Sequence, residues 1–178
     1  MVHADASTFA AGGTKEAAYS QILEQSEALL EGQRNWVCNL ANIASLLWHA
    51  FKSLPFPSSE VNWAGFYVED PQSPPARPQL ILGPFNGKVA CQTIPFGRGV
   101  CGAAASTRET QLVDDVEKFP GHIACDGASK SEIVVPIVSS GKLVAIIDID
   151  CAVESGFDEV DKLWLEKLAK LLAEACDW

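Results

Sequence analysis

Two apolar runs, EIVVPIV at 132–138 and LVAIIDID at 143–150, follow one another with only SSGK between them. Runs of this length, rich in Val and Ile and parted by a Ser-Gly turn, read as two buried strands joined as a hairpin. Strands this apolar must be covered, and the long helical periodicities that can cover them lie at the two ends of the chain. From Thr14, a plausible N-cap, to Leu30, the residues Ala18, Ile22, Leu29 and Leu30 share one side, and Gly32 ends the pattern. A second helix is expected from Asn35 to Ser53, with Val37, Leu40, Ala41, Ala44, Trp48 and Phe51 on its stripe, stopped by Pro55 and Pro57. The last runs from Phe157 to Ala175, capped by Asp158, with Val160, Trp164, Leu168, Leu171, Leu172 and Ala175 inward.

The middle of the chain reads as further strands. WAGFYV (63–68) and QLILG (79–83) flank the Pro-rich loop PQSPPARPQ, Lys88 to Thr93 suggests a third strand, and a short helix opens near Gly99. Helices at the ends and strands between them do not make the regular βαβ alternation of a parallel sheet. The order predicts an α+β fold, an antiparallel sheet packed on terminal helices. Residues 1–13, small and Gly-ended, are expected as a flexible tail, and 14–178 as a single domain.

At 178 residues the chain can bury a core without disulfides or metal. Its net charge of −10 argues against binding a nucleic-acid backbone or an anionic membrane surface. It has no uninterrupted apolar run long enough to span a membrane and no secretory pattern at its start. A cytoplasmic setting is expected, with reduced thiols, and the six cysteines therefore need an account.

No pair of cysteines has C-x-x-C spacing. Cys38 and Cys176 fall on expected helices and Cys151 follows a buried strand, so these three read as structural. Cys91 in GKVACQ, Cys101 in GRGVCG and Cys125 in PGHIACDGASKSE stand in Gly-rich loops, where a purely structural thiol has little to pack against. Zinc held by these three and His122 is conceivable, but the spacings are irregular. Thiol redox chemistry fits better, because it needs an attacking thiolate and a second thiol to resolve the product. His122, three residues before Cys125, could act on that thiol as a neighbouring cation, although a lone loop histidine is more often incidental.

Two further groups stand out. Asp148 and Asp150 interrupt a buried strand two residues apart and so share one face, and Glu132 opens the strand before it. Carboxylates there are costly unless solvated or paired, and clustered carboxylates raise one another's pKa until one stays protonated near neutrality. Trp63 and Tyr67, four apart on one strand, also share a face and are suited to wall a small pocket. GRGVCG lacks the Gly-Lys-Ser/Thr ending of a phosphate loop.

Taken together, NWAGFY, LILGPFNGKVACQTIPFGRGVCG, FPGHIACDGASKSEIVVPI and AIIDIDC resemble the free methionine-(R)-sulfoxide reductases, a GAF-domain family, over about 19–175 and most closely in its fungal form. The resemblance implies a GAF fold: a six-stranded antiparallel sheet with the N- and C-terminal helices packed on one side, usually as a homodimer. It implies reduction of free methionine-(R)-sulfoxide without a bound cofactor or metal, recycled by thioredoxin, thioredoxin reductase and NADPH. Matched motif by motif, Cys125 takes the place of the attacking cysteine, Cys91 of the resolving one and Cys101 of the third. Trp63, Tyr67, Glu132, Asp148 and Asp150 match the substrate-binding positions. The rival reading is a catalytically silent GAF module that binds a small ligand or senses oxidation.

Overall fold

The computed structural model describes residues 4–122 and 127–178. Six strands form one antiparallel sheet: β1 (Val61–Glu69), β2 (Gln79–Gly87), β3 (Thr93–Pro95), β4 (Gln111–Val113), β5 (Ser131–Ser139) and β6 (Lys142–Cys151), in the order β3-β2-β1-β6-β5-β4. The two apolar runs are β5 and β6, neighbours near the middle of the sheet. Ser140 and Gly141, both at positive φ, make the tight turn between them, whose twist suits a hairpin.

Helices α1 (Lys15–Leu30), α2 (Trp36–Ser53) and α4 (Glu159–Ala175) cover one face, as the α+β expectation required. Their caps are the ones read from the sequence. The Thr14 side chain accepts from the Ala17 N–H, and Asp158 accepts from Val160 and Asp161, completing a reciprocal capping box. Tyr19 Oη donates to Asp161 Oδ1 at 2.8 Å and Lys15 pairs with both Asp158 and Asp161, so the first turns of α1 and α4 are fastened together. The core on this side takes Ala64, Phe66 and Val68 from β1, Ile133, Val135 and Ile137 from β5, and Ala145, Ile147 and Ile149 from β6.

α3 (Gly99–Thr107) lies on the opposite face and makes a second, smaller core with Trp63, Tyr67, Leu80, Val134 and Ile146. That face carries the candidate site.

Several details differ from the sequence expectation. Lys88 to Gln92 is loop, and β3 starts only at Thr93, because Ile94 is the residue that packs against the second core. β2 continues to Gly87, four residues past its expected end. The α2 stripe is rotated: Val37 and Ala41 are exposed, while Ile43, Leu46, Leu47 and Ala50 are buried between sheet and neighbouring helices. On α4 the buried centre is Asp161, Leu165, Leu168, Ala169 and Leu172, with Val160, Trp164, Leu171 and Ala175 at its flanks. The segment expected as a tail forms a 3-10 turn at Ala4–Ser7, and within it the Gly12 N–H donates to Ser53 while Phe9 rests on the core.

Candidate active site

The site is laid out in cross-strand rows. Trp63 on β1, Asp150 on β6 and Glu132 on β5 stand side by side. Gly65, Asp148 and Val134 form the next row, and Tyr67, Ile146 and Pro136 the third. Directly opposed residues share a face, so these rows place two aromatic side chains and three carboxyl groups on the α3 side. A bulge makes this possible. Val61 opposes Cys151 and Trp63 opposes Asp150, leaving Asn62 as the extra residue on β1. Val61 belongs to the helix-side core, and the bulge turns Trp63 to the other face.

Gly65 has a packing reason. A Cβ there would lie 2.3 Å from Phe85 Cβ, so only glycine admits the Phe85 ring, which stacks on Trp63 with centroids 5.1 Å apart. Trp63 and Tyr67 also stack, at 5.9 Å, and both are tied to the loop after β2. Trp63 Nε1 donates to the Lys88 carbonyl at 3.1 Å, and Tyr67 Oη donates to the Cys91 carbonyl at 3.0 Å.

Beside these rows is a cavity of about 70 Å³, whose lining includes Cys91, Cys101, His122, Glu132, Asp148 and Asp150. Glu132 and Asp148 are 7% and 6% exposed, too buried to hold charge cheaply. Burial pushes Glu132 well above the usual carboxylate range, and the charges of Asp148 and Asp150 push it further. Burial lifts Asp148 to about 6, although hydrogen bonds from Cys101 and Glu132 pull the other way. Glu132 and Asp148 form no ion pair among the described residues, and Asp148 Oδ1 has no hydrogen-bond partner. Trp63 and Tyr67 stand in the same rows but do not themselves line this cavity.

The thiols divide into three kinds. Cys91 is half-buried and disulfide-bonded. Cys101, in the first turn of α3, is free and buried, and its Sγ lies 3.5 Å from Glu132 Oε1. Burial, followed by the charges of Asp148, Glu132 and Asp150, pushes its thiol well up, so it stays protonated. Cys38, Cys151 and Cys176 are also free, and Cys38 is exposed rather than packed as a structural cysteine would be. Cys125 lies outside the described residues. α3 reaches the cavity because Gly102 lets it pack tightly: a Cβ there would lie 2.5 Å from the Pro95 carbonyl oxygen. His122 lines the cavity, and burial lowers its pKa against the pull of Glu117, so its imidazole tends to be neutral and is a poor source of positive charge for a thiolate.

The chain matches a family model described as GAF domain over residues 39–177. It is similar to a solved structure of a GAF domain, with TM-score 0.93 and 56% identity, covering 100% of this chain and 98% of that one. A Neisseria meningitidis free methionine-R-sulfoxide reductase, solved in complex with its substrate, superposes with TM-score 0.83 at 41% identity, covering 94% of this chain and 93% of that one. The free methionine-R-sulfoxide reductase of Saccharomyces cerevisiae is 58% identical over 175 residues, 98% of this chain and 94% of the relative. The chain belongs to the free methionine-R-sulfoxide reductase family, on a GAF fold.

For this reductase family member, sequence reasoning located the carboxylates and the aromatic pair but missed the residues that hold them. Phe85 stacks on Trp63, and its only sequence signal is Gly65 on the strand opposite. Ser129 lines the cavity and accepts from Asn62 Nδ2 at 3.2 Å, a contact across 67 positions that no local pattern announces. Arg98, also in the lining, takes the N-cap position of α3. No helix among the described residues is long and apolar enough to cross a membrane.

Proposed function

We propose that this protein reduces free methionine-(R)-sulfoxide to methionine, with Cys125 as nucleophile. The observation that carries the reading is the buried Glu132–Asp148 pair, both shifted upward, in a cavity that a disulfide-bonded Cys91 also lines. A thiolate displaces oxygen from a sulfoxide only if that oxygen is protonated as the bond breaks, and a carboxyl kept neutral by burial and by neighbouring charge is such a donor. Glu132, pushed up by burial and by the charges of Asp148 and Asp150, suits that role. The Cys125 sulfur attacks the sulfoxide sulfur, the sulfur–oxygen bond breaks, and the oxygen passes to Cys125 as a sulfenic acid while methionine leaves. The Cys91 thiol then attacks the sulfenic sulfur, expels water and leaves a disulfide. A dithiol donor restores both thiols by exchange, and Cys101 is the alternative resolving thiol.

The same groups account for a free amino acid as substrate. Asp148 Oδ1, buried and unpartnered, and Asp150 beside it offer an ammonium group its counter-charge. The first turn of α3, Gly99 to Cys101, lines the cavity, and free N–H groups at a helix start suit a carboxylate. Trp63 and Tyr67, stacked on each other in the rows beside the cavity, are given the substrate methyl group on family resemblance. Thioredoxin as donor, a homodimeric assembly and a cytoplasmic setting complete the reading on family resemblance.

The test is NADPH oxidation coupled through thioredoxin and its reductase. Free methionine-(R)-sulfoxide should turn over, the (S) isomer should not, and N-acetylation of the substrate should lower kcat/KM by at least about tenfold, the loss expected when a charged hydrogen bond is removed. Cys125→Ser should form no methionine even in a single turnover. Turnover by that variant would place the nucleophile elsewhere, and no turnover by the parent protein would leave the silent GAF module standing.

A further inference from the structure

Glu132, Asp148 and Cys101 converge from β5, β6 and α3, and their side-chain ligand atoms all lie within 4.8 Å of one another. We infer that this trio is a binding site for a zinc-like divalent cation, which holds the substrate pocket closed while it is bound. The chemistry of the donor set selects the ion. One sulfur and two carboxylate oxygens suit a borderline-soft metal, whereas magnesium and calcium favour sites built wholly of oxygen. The spacing agrees. Bonds of about 2.3 Å to sulfur and about 2.0 Å to oxygen at a tetrahedral angle put the two ligand atoms about 3.5 Å apart. Cys101 Sγ and Glu132 Oε1 are 3.5 Å apart.

A second observation points to a ligand at this place. Asp148 is 94% buried, counting from its 6% exposure, and its Oδ1 has no partner although its residue lines the cavity. A buried acceptor left unpaired carries a desolvation cost that a bound cation removes. Three protein ligands leave the fourth tetrahedral position to water from the cavity, the arrangement of an accessible zinc site rather than a closed structural one. Two other charged or titratable groups face the trio from the cavity lining besides the half-buried Asp150: Arg98, which opposes a cation, and His122, which as a neutral imidazole does not. Binding changes no oxidation state: the metal–sulfur bond forms as the Cys101 thiol gives its proton to solvent, and the carboxyl groups release theirs as they coordinate.

The site differs from a zinc centre on the loop cysteines, because Cys91 is already committed to a disulfide. Its effect on the enzyme rests on the proposed reductase function, since the cation would occupy the position given there to the substrate ammonium and would take Cys101 out of thiol exchange.

The experiment titrates zinc into the full-length oxidised protein against a chromophoric chelator, and repeats the titration with Co2+ to read the thiolate-to-metal absorption band. The parent chain and Cys38→Ser, which removes the exposed thiol, should each bind one zinc per chain with equal affinity. Cys101→Ser and Asp148→Asn should each bind at least about tenfold more weakly, and Cys101→Ser should lose the Co2+ band. Circular dichroism confirms that each variant is folded, and Asp148→Asn serves alone if Cys101→Ser is not. Equal affinity in the parent and Asp148→Asn, or no stoichiometric binding by the parent, would overturn the inference. Turnover of the sulfoxide by metal-free protein is a separate measurement, so failure of the cation site and failure of the reductase reading are told apart.

Discussion

Asp148 shows in one side chain how function and stability oppose each other. Its carboxyl sits higher in the folded chain, at about 6, than the ordinary value of 3.8. A carboxyl raised by folding binds its proton more tightly in the native state, so its contribution is most favourable at low pH and is lost as pH rises through the folded value. Replacing it by a neutral amide therefore removes a cost that exists only when the carboxyl is ionised. Asp148→Asn should raise Tm at about pH 7.5 by roughly 4–8 °C, on the order of 2 kcal/mol, and the gap should close at about pH 4. Calorimetry at the two pH values checks this, and a variant less stable than the parent at the higher pH would show that Asp148 is better compensated than its unpartnered oxygen implies. The same substitution should weaken binding of the free amino acid, a trade of activity for stability.

At the scale of elements, the clearest joint is the one between α1 and α4. Asp161 is fully buried, accepts from Tyr19, pairs with Lys15 and completes the cap of its own helix. Asp161→Ala leaves the buried Tyr19 hydroxyl without its partner and Lys15 with Asp158 alone, which costs about 3 kcal/mol and lowers Tm by roughly 6–12 °C. Because the joint is on the far side of the sheet from the cavity, sulfoxide turnover well below the melting range should be unchanged, and a loss of kcat there would show the two faces to be coupled. This joint was half legible. Thr14 and Asp158 carry cap signatures, so the starts of α1 and α4 could be read from the sequence, as could β5 and β6 from their length and branched residues. The register between helices could not. Asp161 reads as an outward polar position on α4 until Lys15 and Tyr19, more than 140 positions away, are brought to it. β4 was missed for a similar reason: three residues held by edge pairing to β5 leave no period to detect. The α2 stripe turned because the helix is buried more broadly than a single face, and such a pattern does not say which edge is out.

For the whole molecule, the sheet separates two duties. The helix side holds the larger core, and the other side holds the smaller core, the carboxyl rows and the disulfide-bonded cysteine. Glu132, Asp148 and Asp150 sit on central strands, while Cys101 lies on α3 and Cys91 in the loop before β3. Fold class and carboxylate pair were legible because both follow from alternation along two strands. The bulge at Asn62 was not, yet it decides which way Trp63 and Tyr67 face. Its consequence is genetic. Exchanging Asn62 for Ala removes the hydrogen bond to Ser129 and should leave a folded, active protein. Deleting its codon should only straighten the ladder, since Trp63 would then follow Val61 and alternation alone keeps the two on opposite faces. Deleting Ala64 instead should slide the rest of β1 by one position, send Tyr67 to the helix side and bring Phe66 to the carboxyl groups. A screen for sulfoxide-dependent growth should therefore accept the loss of Asn62 and reject the loss of Ala64, one codon the message can spare beside one whose count it must keep.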